Sequence, residues 1–164
     1  VVMIASMAGK VPGVPLQSPY SASKHAVACF ASCLRMEVST MWGIDVTTVC
    51  PSFHKTPILD ASSIERAWTS LPIEAQREYG PGYEKTTRAT ANWIMQTLAW
   101  EAQMVINEIV NAVTLVQSPP AEVIIGSDAR YFMMPLLHLP LWFVEMVVRA
   151  TSVDLLPKPA RTAQ

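Results

Sequence analysis

The sequence predicts an α/β fold built on a parallel sheet, and three observations predict it. Residues 1–5 are a short, continuous apolar run rich in β-branched side chains, the pattern of a strand covered on both faces in a parallel sheet, and residues 44–50 are a second β-branched run. Between them lies a long stretch of helical period, as a right-handed crossover requires. Residues 122–125 read as a third short strand after a second helical stretch.

Each element follows in chain order. Residues 1–5 are read as a strand buried on both faces. Residues 8–19 carry Gly9, Pro12, Gly13, Pro15 and Pro19 and read as a loop; Ser18 is the expected N-cap of the next helix, with Pro19 at its first helical position. That helix covers about 19–41 and ends at Gly43. Ala22, Ala26, Cys29, Phe30, Cys33 and Leu34 recur along it at three- and four-residue steps, the expected buried face. The strand 44–50 stops at Pro51. Residues 60–100 are rich in helix formers, broken at Ser62, Ser63, Pro72 and Pro81-Gly82 and anchored by Trp68, Leu71, Tyr79, Tyr83 and Trp93, and read as an inserted helical lid. A helix over 101–117 presents Val105, Ile109, Ala112, Val113 and Val116 on one side, and the strand 122–125 ends at Gly126.

Residues 131–148 reach roughly membrane-spanning length between Arg130 and Arg149. Pro135, Pro140, His138 and Glu145 interrupt them, so an interfacial or substrate-covering segment is the preferred reading, with core packing and dimer contact, or a true span, as alternatives. The last residues are expected to fray. The chain therefore divides into an α/β part over 1–130, with its lid at about 60–100, and an apolar segment and tail of the same domain over 131–164.

The 164 residues suit one domain, with 51% apolar and 15% charged side chains, which excludes a disordered or highly charged chain. Twelve Lys and Arg against thirteen Asp and Glu give a formal charge of −1, so there is no electrostatic footprint for nucleic acid. Cys29, Cys33 and Cys50 are too few for a disulfide framework, and no Cys/His set has structural-zinc spacing, so no metal site is expected. The opening residues resemble neither a signal peptide nor a natural start, and the chain is expected to begin inside a longer protein.

Tyr20 and Lys24 lie four apart at the start of the first helix, so the ammonium and the phenol share a face. A free phenol titrates near pH 10; a fixed positive charge favours the phenolate and makes tyrosine a usable acid and base toward an alcohol or ketone. Ser6 ends the preceding strand, where parallel strands open onto a ligand crevice, and its hydroxyl is placed to hydrogen-bond the reacting oxygen.

Ser6, the Met7-Ala8-Gly9 turn, the Pro/Gly loop, Tyr20-Ser21-Ala22-Ser23-Lys24 on a small-residue helix and a strand ending in Pro51 together resemble the short-chain dehydrogenase/reductase family. The resemblance covers nearly all of this chain but only the latter part of the family's fold, which implies that the chain is the C-terminal portion of a Rossmann-type doubly wound parallel sheet with a helical lid insertion, and that residues 1–130 are a partial Rossmann-like catalytic domain. It implies that Tyr20 is the acid/base, that Lys24 lowers its pKa and holds the nicotinamide ribose, and that Ser6 orients the substrate oxygen. Pro51-Ser52-Phe53-His54-Lys55-Thr56 is similar to the family's Pro-Gly-x-x-x-Thr loop over the nicotinamide, which implies cofactor contacts at Pro51, Ser52 and Thr56. Ser52 stands where the family has glycine. The implied cofactor is NAD, with NADP as the alternative.

Trp68-Thr69-Ser70-Leu71-Pro72, Tyr79-Gly80, Tyr83 and Gly126-Ser127-Asp128-Ala129-Arg130, with the leucine- and proline-rich tail, are similar to the branch holding retinol dehydrogenases, 17β-hydroxysteroid dehydrogenase type 2 and D-β-hydroxybutyrate dehydrogenase. That implies a lipophilic hydroxyl or carbonyl substrate such as a retinoid or steroid, and a membrane-associated protein, with the endoplasmic reticulum favoured over the mitochondrion. It also implies a homodimer formed through the 19–41 helix.

Other polar residues are expected to be structural. His25 points away from the Tyr20 face, His138 packs in the apolar tail, Asp128 caps or turns the chain after the third strand, and Cys29 and Cys33 act as small buried hydrophobes. His54, in the cofactor loop, is a weaker ligand candidate. The alternative to an enzyme is a truncated, non-catalytic relative acting as an interaction or membrane-associated subunit, since no glycine-rich phosphate loop lies within these residues. The isolated chain is expected to be inactive and poorly soluble, with an unpaired edge on its first strand.

Overall fold

A computed structural model describes residues 1–152 apart from 14, 16, 57–60, 81 and 115–117. Three strands, β1 (Val2–Ile4), β2 (Thr47–Pro51) and β3 (Glu122–Ile125), form a parallel sheet in the order β1-β2-β3. Val2 pairs with Thr47, and Thr48 with Glu122. The predicted α/β class and parallel sheet are therefore present, and β3 has its expected limits. Two strand expectations need correction. β2 begins at Thr47, with Ile44 exposed ahead of it. β1 is not buried on both faces, because it is an edge strand among the described residues: Val2 and Ile4 are exposed. Only the central β2 has the double cover that the apolar runs suggested, with Thr47, Thr48, Val49 and Cys50 all buried.

Alternation along the strands builds two cores. On one face Cys50 packs with Ala5, Met7 and Ala129, joined by Val27 and Ala28 of α1 (Ser18–Trp42). On the other, Val49, Val123 and Ile125 pack against Val105, Ile109 and Ala112. These last three belong to the helix Ala102–Thr114, which carries the expected face within narrower limits; Val116 lies outside the described residues.

α1 starts one residue early. Ser18 is already helical, and Gln17 is the cap, without a side-chain hydrogen bond. Gly43 closes the helix in the left-handed region (φ 61°), as glycine does at this position. The expected buried face is wrong: Ala22, Ala26, Cys29, Phe30 and Cys33 are exposed, and Leu34 is half-buried. The face that meets the sheet-side core runs through Val27 and Ala28, and Ala31 on the same helix is fully buried. Arg35 fastens it by donating to the carbonyls of Val46 (2.9 Å) and Ala121 (2.8 Å), at the starts of β2 and β3.

The stretch read as a lid consists of α2 (Ala61–Thr69), α3 (Ile73–Tyr79) and α4 (Tyr83–Thr97), and the helix Ala102–Thr114 that follows is α5. Tyr83 stacks on Tyr79 at 4.7 Å between ring centroids and leans on Trp68 at 6.1 Å. Ser62 and Ser63 do not break the chain; both lie within α2 and accept from Arg66. Trp93, an expected anchor, is exposed. After β3 the chain makes a π-helical turn (Ala129–Met133), then α6 (Met134–Leu136) and α7 (Leu141–Ser152). Pro140 separates α6 from α7, and no helix among the described residues is long and apolar enough to cross a membrane. His138 is exposed rather than packed.

Candidate active site

The strand end of β1 gathers the first group of expected site residues. Ser6 follows it in an extended conformation and caps a 3-10 turn (Met7–Gly9), its Oγ accepting from the Ala8 N–H at 3.1 Å. One lone pair is thereby fixed, and the hydroxyl proton is left to donate. Gly9 lies directly against α1: a Cβ at that position would stand 2.6 Å from the Lys24 carbonyl oxygen. The turn that carries Ser6 is thus docked on the helical residue that carries the ammonium.

Lys24 Nζ donates to the Ile4 carbonyl at 3.3 Å and stands 5.7 Å from the centroid of the Tyr20 ring. Tyr20 is 42% exposed, so its phenol is accessible. The structure therefore brings Lys24 to Tyr20 and to the last residue of β1, two positions before Ser6. A cavity of about 580 Å³ lies beside this group rather than over it: Ser21, next to Tyr20, lines it together with His25, Glu145 and Arg149. His25 accompanies Ser21 through its Nδ1, 2.9 Å from the Ser21 carbonyl.

The 51–56 loop is tied in the other direction, toward β3. The Ser52 N–H donates to the Ile125 carbonyl at 2.9 Å, and its hydroxyl donates to Asp128 Oδ2. Asp128 Oδ1 also accepts from the Trp100 indole N–H at 3.1 Å. Asp128 thus has a structural role, but as a bridge between three distant segments; it makes no side-chain cap of the turn it precedes. Trp100 exchanges main-chain hydrogen bonds with Phe53 (3.0 Å) and Lys55 (2.9 Å), and Lys55 pairs with Glu101. Pro51 ends β2 opposite Ile125, and Thr56 is half-buried. Ser52 has its N–H and its hydroxyl both engaged within the fold, which a glycine could not do.

Sequence reasoning missed Gly9, Trp100 and Asp128 as organisers of these loops. Gly9 had a legible signal, a glycine between a strand end and a helix, whereas the Asp128 bridge joins residues 76 and 28 positions apart. Two buried groups also titrate away from their ordinary values. Burial, reinforced by Glu122, pushes the Cys50 thiol up to about 11. Burial holds the His54 imidazole below its usual value.

For a nicotinamide cofactor, the donor set at the β1 end fits: an ammonium with N–H groups beyond the one given to Ile4, and a phenol one turn away, at the carboxyl ends of parallel strands where dinucleotides bind.

Comparison with known proteins gives a consistent result. Residues 1–67 match the family model described as short chain dehydrogenase. The chain is 28% identical to retinol dehydrogenase 16 of Rattus norvegicus over 98% of its own length and 50% of the relative's. It is 28% identical to 17-beta-hydroxysteroid dehydrogenase type 6 of Mus musculus, over 88% and 45%. It is 52% identical to dehydrogenase/reductase SDR family member 7B of Xenopus laevis, over 56% and 24%. The chain spans about half the length of the first two of these relatives.

Proposed function

We infer that this chain, which belongs to the short-chain dehydrogenase family, acts as the catalytic and substrate half of a nicotinamide-dependent oxidoreductase that interconverts a lipophilic alcohol and its ketone or aldehyde. The observation that carries this reading is Lys24, whose ammonium links the end of β1 to the Tyr20 ring. Tyr20 passes a proton to or from the substrate oxygen. Ser6, its acceptor side held by Ala8, donates its hydroxyl proton to the same oxygen. Lys24 keeps a positive charge where negative charge develops as the phenol gives up its proton. The cofactor, when bound, supplies the carbon that takes or gives hydride. Tyr20, Lys24, Pro51, Ser52 and Thr56 form this chain's share of its site, with NAD preferred over NADP.

The names of the relatives support a retinoid or steroid as substrate. The exposed Tyr131, Phe132, Trp142 and Met146, with Arg130 and Arg149 nearby, support contact with a membrane surface, and the endoplasmic reticulum is the favoured compartment over the mitochondrion. The exposed Phe30 and Met36 on α1 support a homodimer through that helix. The same apolar face favours the second reading, a non-catalytic interaction subunit. The test is hydride transfer in the longest polypeptide that carries this chain, with NAD and either retinol or a hydroxysteroid. Reduction of NAD by either alcohol supports the enzyme; a folded protein inert with both supports the second reading.

A further inference from the structure

Two thiols of α1 take no part in the chemistry assigned to Tyr20 and Lys24. Cys29 and Cys33 are both free and exposed, and they stand four residues apart in the interior of the helix, so they are neighbours on one face. Cys29 follows Tyr20, and Cys33 follows Lys24, by about two and a half turns, which carries the pair to the side of α1 opposite that group. Val27 and Ala28 meet the core on the inner side; the thiols face away from it.

Helical side chains lean toward the N-terminus, so the Cys33 thiol is directed onto the turn that bears Cys29. Its titration reflects the neighbour: Cys29 is the main cause that raises the Cys33 thiol above its ordinary value, with Glu37 a smaller one. Ala22 and Ala26 precede the pair on the same exposed face, and their methyl groups are too short to cover it.

The spacing selects what the pair can hold. Residues four apart in a helix keep their Cβ atoms ~5–6 Å apart, whereas a disulfide needs roughly 3.5–4.5 Å. The helix therefore keeps the two sulfurs from closing on each other but leaves room for one atom between them, since metal–sulfur bonds of about 2.3 Å join sulfurs up to about 4.6 Å apart. Among the described residues no group of three His, Cys, Asp or Glu side chains is placed to hold a metal. Zinc, which takes four ligands, would be left half-coordinated, and calcium and magnesium take oxygen. Thiolate ligands favour soft ions, monovalent copper among them. The spacing argument that excludes structural zinc does not reach such an ion.

We propose that Cys29 and Cys33 form a two-coordinate site for a soft monovalent metal ion of the Cu(I) type on the outer face of α1. Binding forms two sulfur–copper bonds and releases the two thiol protons, with no change of oxidation state. The site lies apart from the one assigned to hydride transfer and does not depend on that reading.

The test is anaerobic competition for Cu(I) between the longest polypeptide that carries this chain and bathocuproine disulfonate, whose copper complex is coloured. One equivalent that the parent takes from the chelator should be lost in the double variant Cys29→Ser/Cys33→Ser. Each single variant should hold it about 10²–10⁴-fold more weakly, the share a second tethered ligand contributes. Excess Zn(II) should not displace it. No uptake, uptake that survives the double substitution, single variants as tight as the parent, or one copper shared between two copies would overturn the proposal. Should the variants fail to fold, maleimide labelling of the unaltered protein, read by mass spectrometry, decides it: Cu(I) should protect Cys29 and Cys33 together, and unchanged labelling of either would overturn the site.

Discussion

Gly9 rests on the main chain of Lys24, and a Cβ added to it would lie 2.6 Å from the carbonyl oxygen and 2.7 Å from the carbonyl carbon. Both atoms are backbone within α1 and cannot swing aside. The contact sets the distance between the turn holding Ser6 and the helix holding Tyr20 and Lys24, so it links packing directly to the proposed chemistry.

Gly9→Ala is expected to destabilise the fold by about 1–3 kcal/mol, the usual range for overpacking, and to reduce turnover in any active form. Urea denaturation measures the first effect. Gly82→Ala is the control: nothing lies within 4 Å of its Cβ position, and its stability should stay within about 0.5 kcal/mol of the parent.

Ser52→Gly restores the residue usual in similar loops but removes the donor to Asp128. It should lower stability by about 1 kcal/mol, the net worth of one hydrogen bond. Asp128→Ala should lower it further, because the Trp100 indole loses its acceptor as well. An indole N–H resonance that shifts in Asp128→Ala but barely in Ser52→Gly would identify the bridge.

The His54 imidazole is held below its ordinary value, chiefly by burial, with the Ser52 carbonyl and the Asp128 carboxylate opposing. Above the unfolded value of about 6.5 both states are neutral and the stability is complete. As pH falls below it, the unfolded chain binds the proton first, and stability declines until the folded value is reached. Denaturation midpoints should therefore drop on acidification through this window, and His54→Phe should flatten that part of the curve.

Cysteine reactivity checks the orientation of α1. Cys29 and Cys33 are exposed, whereas Cys50 is buried with its thiol pushed up to about 11. A neutral maleimide should label the first two rapidly in the monomer and Cys50 only on unfolding. In a dimer formed through α1, both helical thiols should become protected.

The sheet was legible because its cues are local. Pro51 and Gly126 stop β-branched runs, and Gly43 stops a helix whose first turn holds Pro19. The α1 face was not legible, because apolar and small residues occupy both sides of that helix. Cys29 and Phe30 satisfy the same period as Ala28 and Ala31, and only the sheet decides between them. The closeness of the Lys24 ammonium to the Tyr20 ring was readable from their four-residue spacing. The Ser52-Asp128-Trp100 bridge was not, since it arises from segments that meet only after folding.

The most direct measurement is turnover by the Tyr20→Phe variant in the longest polypeptide that carries this chain, read together with nicotinamide binding. Loss of the phenolic proton should lower turnover by about 10²–10⁴-fold, the usual share of general acid–base catalysis, with cofactor affinity changed by less than about threefold. Turnover undiminished by the substitution would contradict the account.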